Sequence, residues 1–502
     1  MGTSQSKPVP RDDEKVQVLS RDMDSMSISQ EKQWVVDNDV NEGPAYTPSG
    51  LSVSLAKRWE EALVKDPKNR LAISALSTNA ATSVLMNPSA VLADTQTFNV
   101  KIPFEGAPIT NQRSSGRCWL FASTNVFRVA IMKRYNLKEF ELSQAYLFYW
   151  DKIEKSNWFL EKAIETASLD LDGRLVQELF SDPVSDGGQW DMVANLVQKY
   201  GLVPQALYPD SFNAKSSSKM DWLVTVKLRE QALILRELAQ KKTRAETLAA
   251  TKDKFIQEIH SIVTIMLGVP PDPEEKFSWD FYDADGKFHN VSLTPKEFAA
   301  SLSTKQGIQA CGGNIYQFFS LINDPRNEYG RLLTIDKLGN VVGGRPTTYV
   351  NVEMDTIKSA TISMLKAGFP VFFGCDVGKF SDSASGIMDT DLFNWSLGFN
   401  LTFGTGMTKA ARIEAGESAM THAMVLTAVH LDKDGKPVRW RVQNSWGESA
   451  GDKGWFVMTD GWMDEFVYQV VVDPRFVGKE VRDVLKQEAK VLPRWDPMGI
   501  LA

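Results

Sequence analysis

The first fifty residues are polar and punctuated by Pro8, Pro10, Gly43, Pro44 and Pro48, which reads as an N-terminal extension over 1–50. From Leu51 to about Met86 the apolar positions follow helical spacing, with a break at Asp66-Pro67. The stretch "CWLFASTNVFRVAIMKR" is apolar on most faces and predicts a buried helix from Cys118 to about Arg134. A second helix follows in "ELSQAYLFYWDKIEKSNWFLEKAIETA", with Ser143 as candidate N-cap. "SDGGQWDMVANLVQKYGLVPQALYP" predicts a Gly-Gly turn, a helix, a terminating Gly201 and an exit through prolines. Ser216–Met266 is rich in Ala, Leu, Lys and Glu and nearly free of Gly and Pro, so it predicts long helices, as in a helical hairpin, ended by "LGVPPDPEE".

After about residue 345 the period changes. "TTYVNVEM", "FPVFFGCDV", "AMVLTAVHL", "PVRWRVQNSWG", "GWFVMTDG" and "FVYQVVV" are short, β-branched and aromatic, and are bounded by turn signals such as "DKDGKP". The expected organisation is an extension over 1–50, a helical half over 51–213 and a helical insertion over 214–345. A β-rich half over 346–480 and a C-terminal arm over 481–502 complete it.

Composition narrows the class. A hydrophobic fraction of 43% and a charged fraction of 24% are ordinary for a globular chain of 502 residues, and a net charge of −7 gives no general attraction to nucleic acid. The segment Lys227–Lys254 is locally basic, so weak DNA or RNA binding stands as an alternative to a solvated helical face. Three cysteines, Cys118, Cys311 and Cys375, cannot build a disulfide framework and point to a reducing compartment, with Cys311 and Cys375 read as structural. The N-terminus lacks the apolar core of a secretory signal, no later run has the apolar length of a membrane span, and the sequons at Asn290, Asn394 and Asn400 read as chance matches. Gly2, with Ser6 and Lys7, fits a myristoylation pattern, which would give reversible membrane contact; the competing reading is a polar tail.

Candidate chemistry centres on Cys118. Only a thiolate attacks, and a helix N-terminus together with an imidazolium can supply one at neutral pH. Of four histidines, His260 and His289 lie in charged or turn-rich sequence, whereas His422 and His430 bracket one predicted strand, His422 at its mouth. One strand later Asn444 could orient the His422 ring, and Trp446 could cover that bond from water. Gln112, six residues before Cys118, could pair its amide with the Cys118 backbone N–H as an oxyanion hole.

Together, "Q…GRCWLFAS", "THAMVLTAV" and "QNSWGESAGDKGWF" resemble the signature blocks of papain-type cysteine proteases, in the order Cys, His, Asn. "ELSQAY" and "DGGQW" fit the same pattern. The resemblance makes Gly187 and Gly188 a substrate-backbone site and implies an α+β, papain-like two-domain fold: a helical domain plus an antiparallel β-barrel-like domain, with the large insertion added. It implies no cofactor and no metal. Ser115 stands where secreted relatives carry a disulfide cysteine, and Arg117 where a small residue is usual.

Within that family, "GCDVGKF", "MTHAMVLTAV" and "PRWDPMG" resemble the bleomycin hydrolase group. This implies a cytosolic homohexameric aminopeptidase acting on peptides with free N-termini, on the amide of bleomycin and on homocysteine thiolactone. It further implies that the C-terminal arm lies in the cleft, where the Ala502 carboxylate would meet the substrate α-amine. Arg117 is expected to reach a cleft acid or that arm. Two rival readings are a nucleic-acid-binding oligomer and an inactive scaffold.

Overall fold

A computed structural model describes residues 49–300, 315–404 and 406–501; Gly2, Cys311 and Ala502 lie outside them. The chain divides into two compact units, residues 1–67 and 68–502. In the first, helix α1 (Val53–Leu63) starts at Ser52, whose Oγ accepts the Leu55 N–H at 3.2 Å. The break expected at Asp66-Pro67 separates it from α2 (Pro67–Leu76).

Helix α3 (Cys118–Tyr135) is buried continuously from Cys118 to Met132, as its unstriped apolar sequence requires, and ends on Asn136 in the left-handed conformation. Helix α4 (Gln144–Glu165) begins at Ser143, whose hydroxyl accepts the Tyr146 N–H at 3.0 Å. Helix α5 (Trp190–Tyr200) stops at Gly201, with φ 80°. The expected hairpin is α6 (Ser218–Gln240) and α7 (Ala245–Leu267), packed on each other and on α4.

The main sheet has twelve strands among the described residues. The longer ones are β1 (Phe319–Ile322), β2 (Arg331–Ile335), β3 (Thr348–Asn351), β4 (Val371–Cys375), β5 (His422–Leu431), β6 (Pro437–Gln443), β7 (Trp455–Thr459), β8 (Val467–Val472) and β9 (Lys490–Leu492). Their order is β9-β2-β3-β1-β8-β4-β5-β6-β7, continued by the short pair Ile387–Met388 and Ser381–Asp382. Central strands are buried on both faces; β4 and β8 are buried at every position.

Two expectations need correction. The sheet is mixed, with three parallel pairings, and its order is open: among the described residues no pairing joins its two ends into a barrel. The stretch 214–345 is also not helical throughout. Beyond Leu267 it forms a hairpin (Phe277–Tyr282 with Phe288–Leu293), and β1 and β2 belong to the main sheet. The runs "FSLI" and "RLLTI" carry leucine in place of the valine and tyrosine that mark the later strands, and a short leucine-bearing run does not separate strand from helix.

Candidate active site

Helix α3 packs against β5, which brings Cys118 at the helix start to His422 at the strand start. Both side chains are buried, Cys118 2% and His422 4% exposed. The Arg117 side chain makes no capping bond and its carbonyl takes the Leu120 and Phe121 N–H groups at 3.0 and 3.1 Å, which leaves the Cys118 and Trp119 amides available to an anion.

His422 Nε2 lies 2.9 Å from Asn444 Oδ1, which also accepts the Ser445 N–H at 2.7 Å. An acceptor at Nε2 places the imidazole proton there and leaves Nδ1 as the base. The Trp446 ring covers the imidazole, with centroids 4.9 Å apart, and is itself met edge-on by Phe456.

Gln112 is held from three sides. Its N–H donates to Ser445 O at 2.8 Å, its Nε2 donates to Ser115 O at 2.7 Å, and its Oε1 accepts from Ser445 Oγ at 2.7 Å. A primary amide carries two N–H bonds, so one remains for an oxyanion. Asn111 bridges Trp446, and Gly447 N–H donates to Thr110 O at 3.0 Å, which stitches the cysteine loop to the asparagine loop.

Burial pushes the Cys118 thiol up to about 11, although the amides of Ala423 and Trp119 favour the thiolate. Burial also lowers the His422 imidazole to about 4, against the opposing bond to Asn444. Taken singly, both groups are neutral at pH 7. A thiolate–imidazolium pair would offset both desolvation costs, since the two ions would neutralise each other inside the low-dielectric site.

The Gly-Gly turn is buried against Trp119, the residue after Cys118. A Cβ on Gly188 would sit 2.5 Å from the Trp119 ring, so only glycine fits. Asp186 Oδ2 accepts the Gly116 N–H at 2.8 Å and the Ser217 hydroxyl at 2.5 Å, and the Asp186 carbonyl accepts Trp119 Nε1 at 2.6 Å. Beneath lie two buried lysines one turn apart on α4. Lys152 Nζ reaches Asp186 at 2.6 Å, Asp221 at 2.7 Å and Val184 O at 2.5 Å; Lys155 Nζ reaches Ser185 O and Gly187 O, both at 2.6 Å. Burial opposes the Lys152 ammonium, but Asp186 and Asp221 outweigh it and hold its pKa above the ordinary lysine value.

These supports were not apparent from the sequence. Nor was Asp376, whose carboxylate accepts Ser418 Oγ at 2.9 Å and so fixes the loop entering His422, nor the linking role of Ser445. Arg117 reaches an acid and not the arm: it is fully buried in a bidentate pair with Asp210 at 2.8 and 2.9 Å, with Nε donating to Ser115 Oγ. Cys375 is buried opposite His422 in the β4–β5 register, its thiol free like that of Cys118. His260 bonds Tyr149 and His289 bonds Asp283. In the basic segment Lys227, Arg229, Arg236, Lys241 and Lys252 are engaged within the chain. The described part of the C-terminal arm reaches the turn, where Gln189 Nε2 donates to Ile500 O at 3.4 Å.

The family model described as "Peptidase C1-like family" matches residues 50–499. The chain belongs to that family. It is 42% identical over 461 residues to a bleomycin hydrolase of Gallus gallus, covering 90% of this chain and 99% of that protein. It is 41% identical to "Cysteine proteinase 1, mitochondrial" of Saccharomyces cerevisiae over 463 residues, 90% of this chain and 93% of that one. The crystal structure of PepW from Lactobacillus rhamnosis superposes with a TM-score of 0.85 at 41% identity, over 90% of this chain and all of that one. This member of the family is thus a papain-like cysteine protease with the papain-like fold. No described helix is long and apolar enough to cross a membrane.

Proposed function

We propose that this protease is an aminopeptidase working by thiolate acyl transfer. The Cys118 proton passes to His422 Nδ1, and Sγ attacks the scissile carbonyl. The oxyanion is met by the Cys118 N–H and the free Nε2–H of Gln112. The C–N bond breaks as the imidazolium protonates the leaving amine. Water, deprotonated by His422, then cleaves the thioester, with Asn444 holding the ring. Gly187 and Gly188 carry the substrate backbone, and Trp446 shields the dyad.

The observation that carries the exopeptidase reading is the path of the arm: Ile500 bonds Gln189, the residue after Gly188. An arm at that place blocks the cleft beyond the first substrate residues. The terminal carboxylate, two residues on at Ala502, would then be the partner for a cationic α-amine. The names of the relatives extend the reading to the amide of bleomycin. Homocysteine thiolactone suits the same machinery, since it offers a free α-amine and an acyl carbon with a thiolate leaving group. A homohexamer and a cytosolic location are part of this proposal, the latter supported by the free thiols of Cys118 and Cys375.

The test compares amino-acid amides with free and N-blocked amines. Removing residues 500–502 should raise turnover of the blocked substrate and of internal bonds; an unchanged preference for free amines refutes the exopeptidase reading. Cys118→Ala should abolish turnover of both, and retained turnover would refute the nucleophile.

A further inference from the structure

We propose that Arg326 and Asp496 form the clip that fixes the register of the C-terminal arm and thereby sets the preference for free N-termini; this rests on the exopeptidase reading above. The arm leaves the sheet as β9, paired parallel with β2, and turns at Pro493–Asp496, where the Asp496 N–H donates to Pro493 O at 2.9 Å. At that turn the Arg326 guanidinium is shared. It holds Asp324 through Nε and NH2, both at 2.9 Å, and Asp496 Oδ1 through NH2 at 2.8 Å. The pair is removed from water, with side-chain exposures of 11% for Arg326, 12% for Asp496 and 0% for Asp324.

Asp496 Oδ1 also accepts the Met498 N–H at 2.9 Å, so the same carboxylate that binds the clip starts the last turn of the arm. That turn seats Met498 in the core, 3% exposed, and backs Gly499 against Ile335. Ile500 then meets Gln189. Three residues, Pro497, Met498 and Gly499, separate Asp496 from Ile500. Successive residues of an extended chain are about 3.3 Å apart, so a one-residue slip at the clip moves the end of the arm by a whole subsite. Arg326 and Asp496 touch none of Cys118, His422, Asn444 or Gln112; they act as positioning residues, through where the arm ends.

The experiment measures kcat and KM of the full-length enzyme for free and N-blocked amino-acid amides. The variants are Asp496→Ala, Arg326→Gln and Asp496→Glu, beside the arm truncated after Gly499. Arg326→Gln attacks the pair from the sheet side should Asp496→Ala fail to fold. Asp496→Ala and Arg326→Gln should lower the free-over-blocked ratio of kcat/KM by about tenfold or more, the equivalent of losing one good polar contact to the amine. The loss should appear as a raised KM for the free amine with Cys118 still labelled by an irreversible thiol inhibitor, and Asp496→Glu should restore part of the ratio. If truncation lowers the ratio but the clip variants keep it, the clip is overturned and the exopeptidase reading stands. If truncation also leaves it unchanged, both fall.

Discussion

Replacing Lys152 by Met tests whether the buried lysine under the Gly-Gly turn holds the site together. Lys152 is fully buried and balances Asp186 and Asp221 at 2.6 and 2.7 Å. Met keeps much of the volume and removes the charge, leaving two carboxylates facing each other. Breaking a buried pair from one side costs about 3–5 kcal/mol. Asp221, already raised to about 6 by burial and by Asp186 against the pull of Lys152, can take up a proton and bring the cost to the lower end. For a unit of residues 68–502, with roughly 0.9 kcal/mol of unfolding entropy per kelvin, that cost lowers Tm by about 3–5 °C. Catalysis should suffer more than stability, because Asp186 also anchors the Gly116 amide two residues before Cys118. The assay is scanning calorimetry beside kcat/KM on a free-amine amide. Lys152→Met with Asp186→Asn should recover part of the lost Tm, since no orphan charge is left on Asp186. A single variant with unchanged Tm and unchanged kcat/KM would refute the reasoning.

Gly188→Ala places a methyl 2.5 Å from the Trp119 ring, a clash of about 1–3 kcal/mol on the residue next to Cys118; inhibitor labelling of Cys118 should slow, and wild-type labelling would count against the packing. The pH dependence follows from the thiol. Burial raises Cys118 to about 11, so without His422 the thiolate appears only as pH rises toward that value. In His422→Gln the alkylation rate at Cys118 should therefore climb through pH 8–10, about tenfold per unit, whereas the wild type reacts at neutral pH through proton transfer to the ring. A neutral-pH plateau in the variant contradicts this.

The placement of the candidate site's groups was legible because each has a local cause. Cys118 opens an apolar run after a Gly-containing loop, His422 opens a β-branched run, and Gly201 closes α5 in a conformation that glycine favours. Their supports have no such signal. Lys152 lies 34 positions from Asp186 and 69 from Asp221, and Ser445 lies 333 from Gln112, so nothing nearby in sequence marks a lysine or serine as buried and paired. Arg117 shows the same limit: its sequence context said that it was unusual, and only the fold supplied Asp210. The sheet is legible where strands are β-branched or aromatic and bounded by turns. It was missed at β1 and β2, and the parallel pairings of β1 with β3 and of β2 with β9 leave no trace in either partner's pattern.

The stitch between Gln112 and Ser445 joins the proposed oxyanion donor to the residue beside Asn444. In the proposed mechanism two tasks therefore share one fastening, and a disturbance there should remove both at once. Partial damage by heat or denaturant should then thin the number of titratable sites while the survivors keep full speed. The protein should then behave as a population of intact and silent molecules, with no slow form between them.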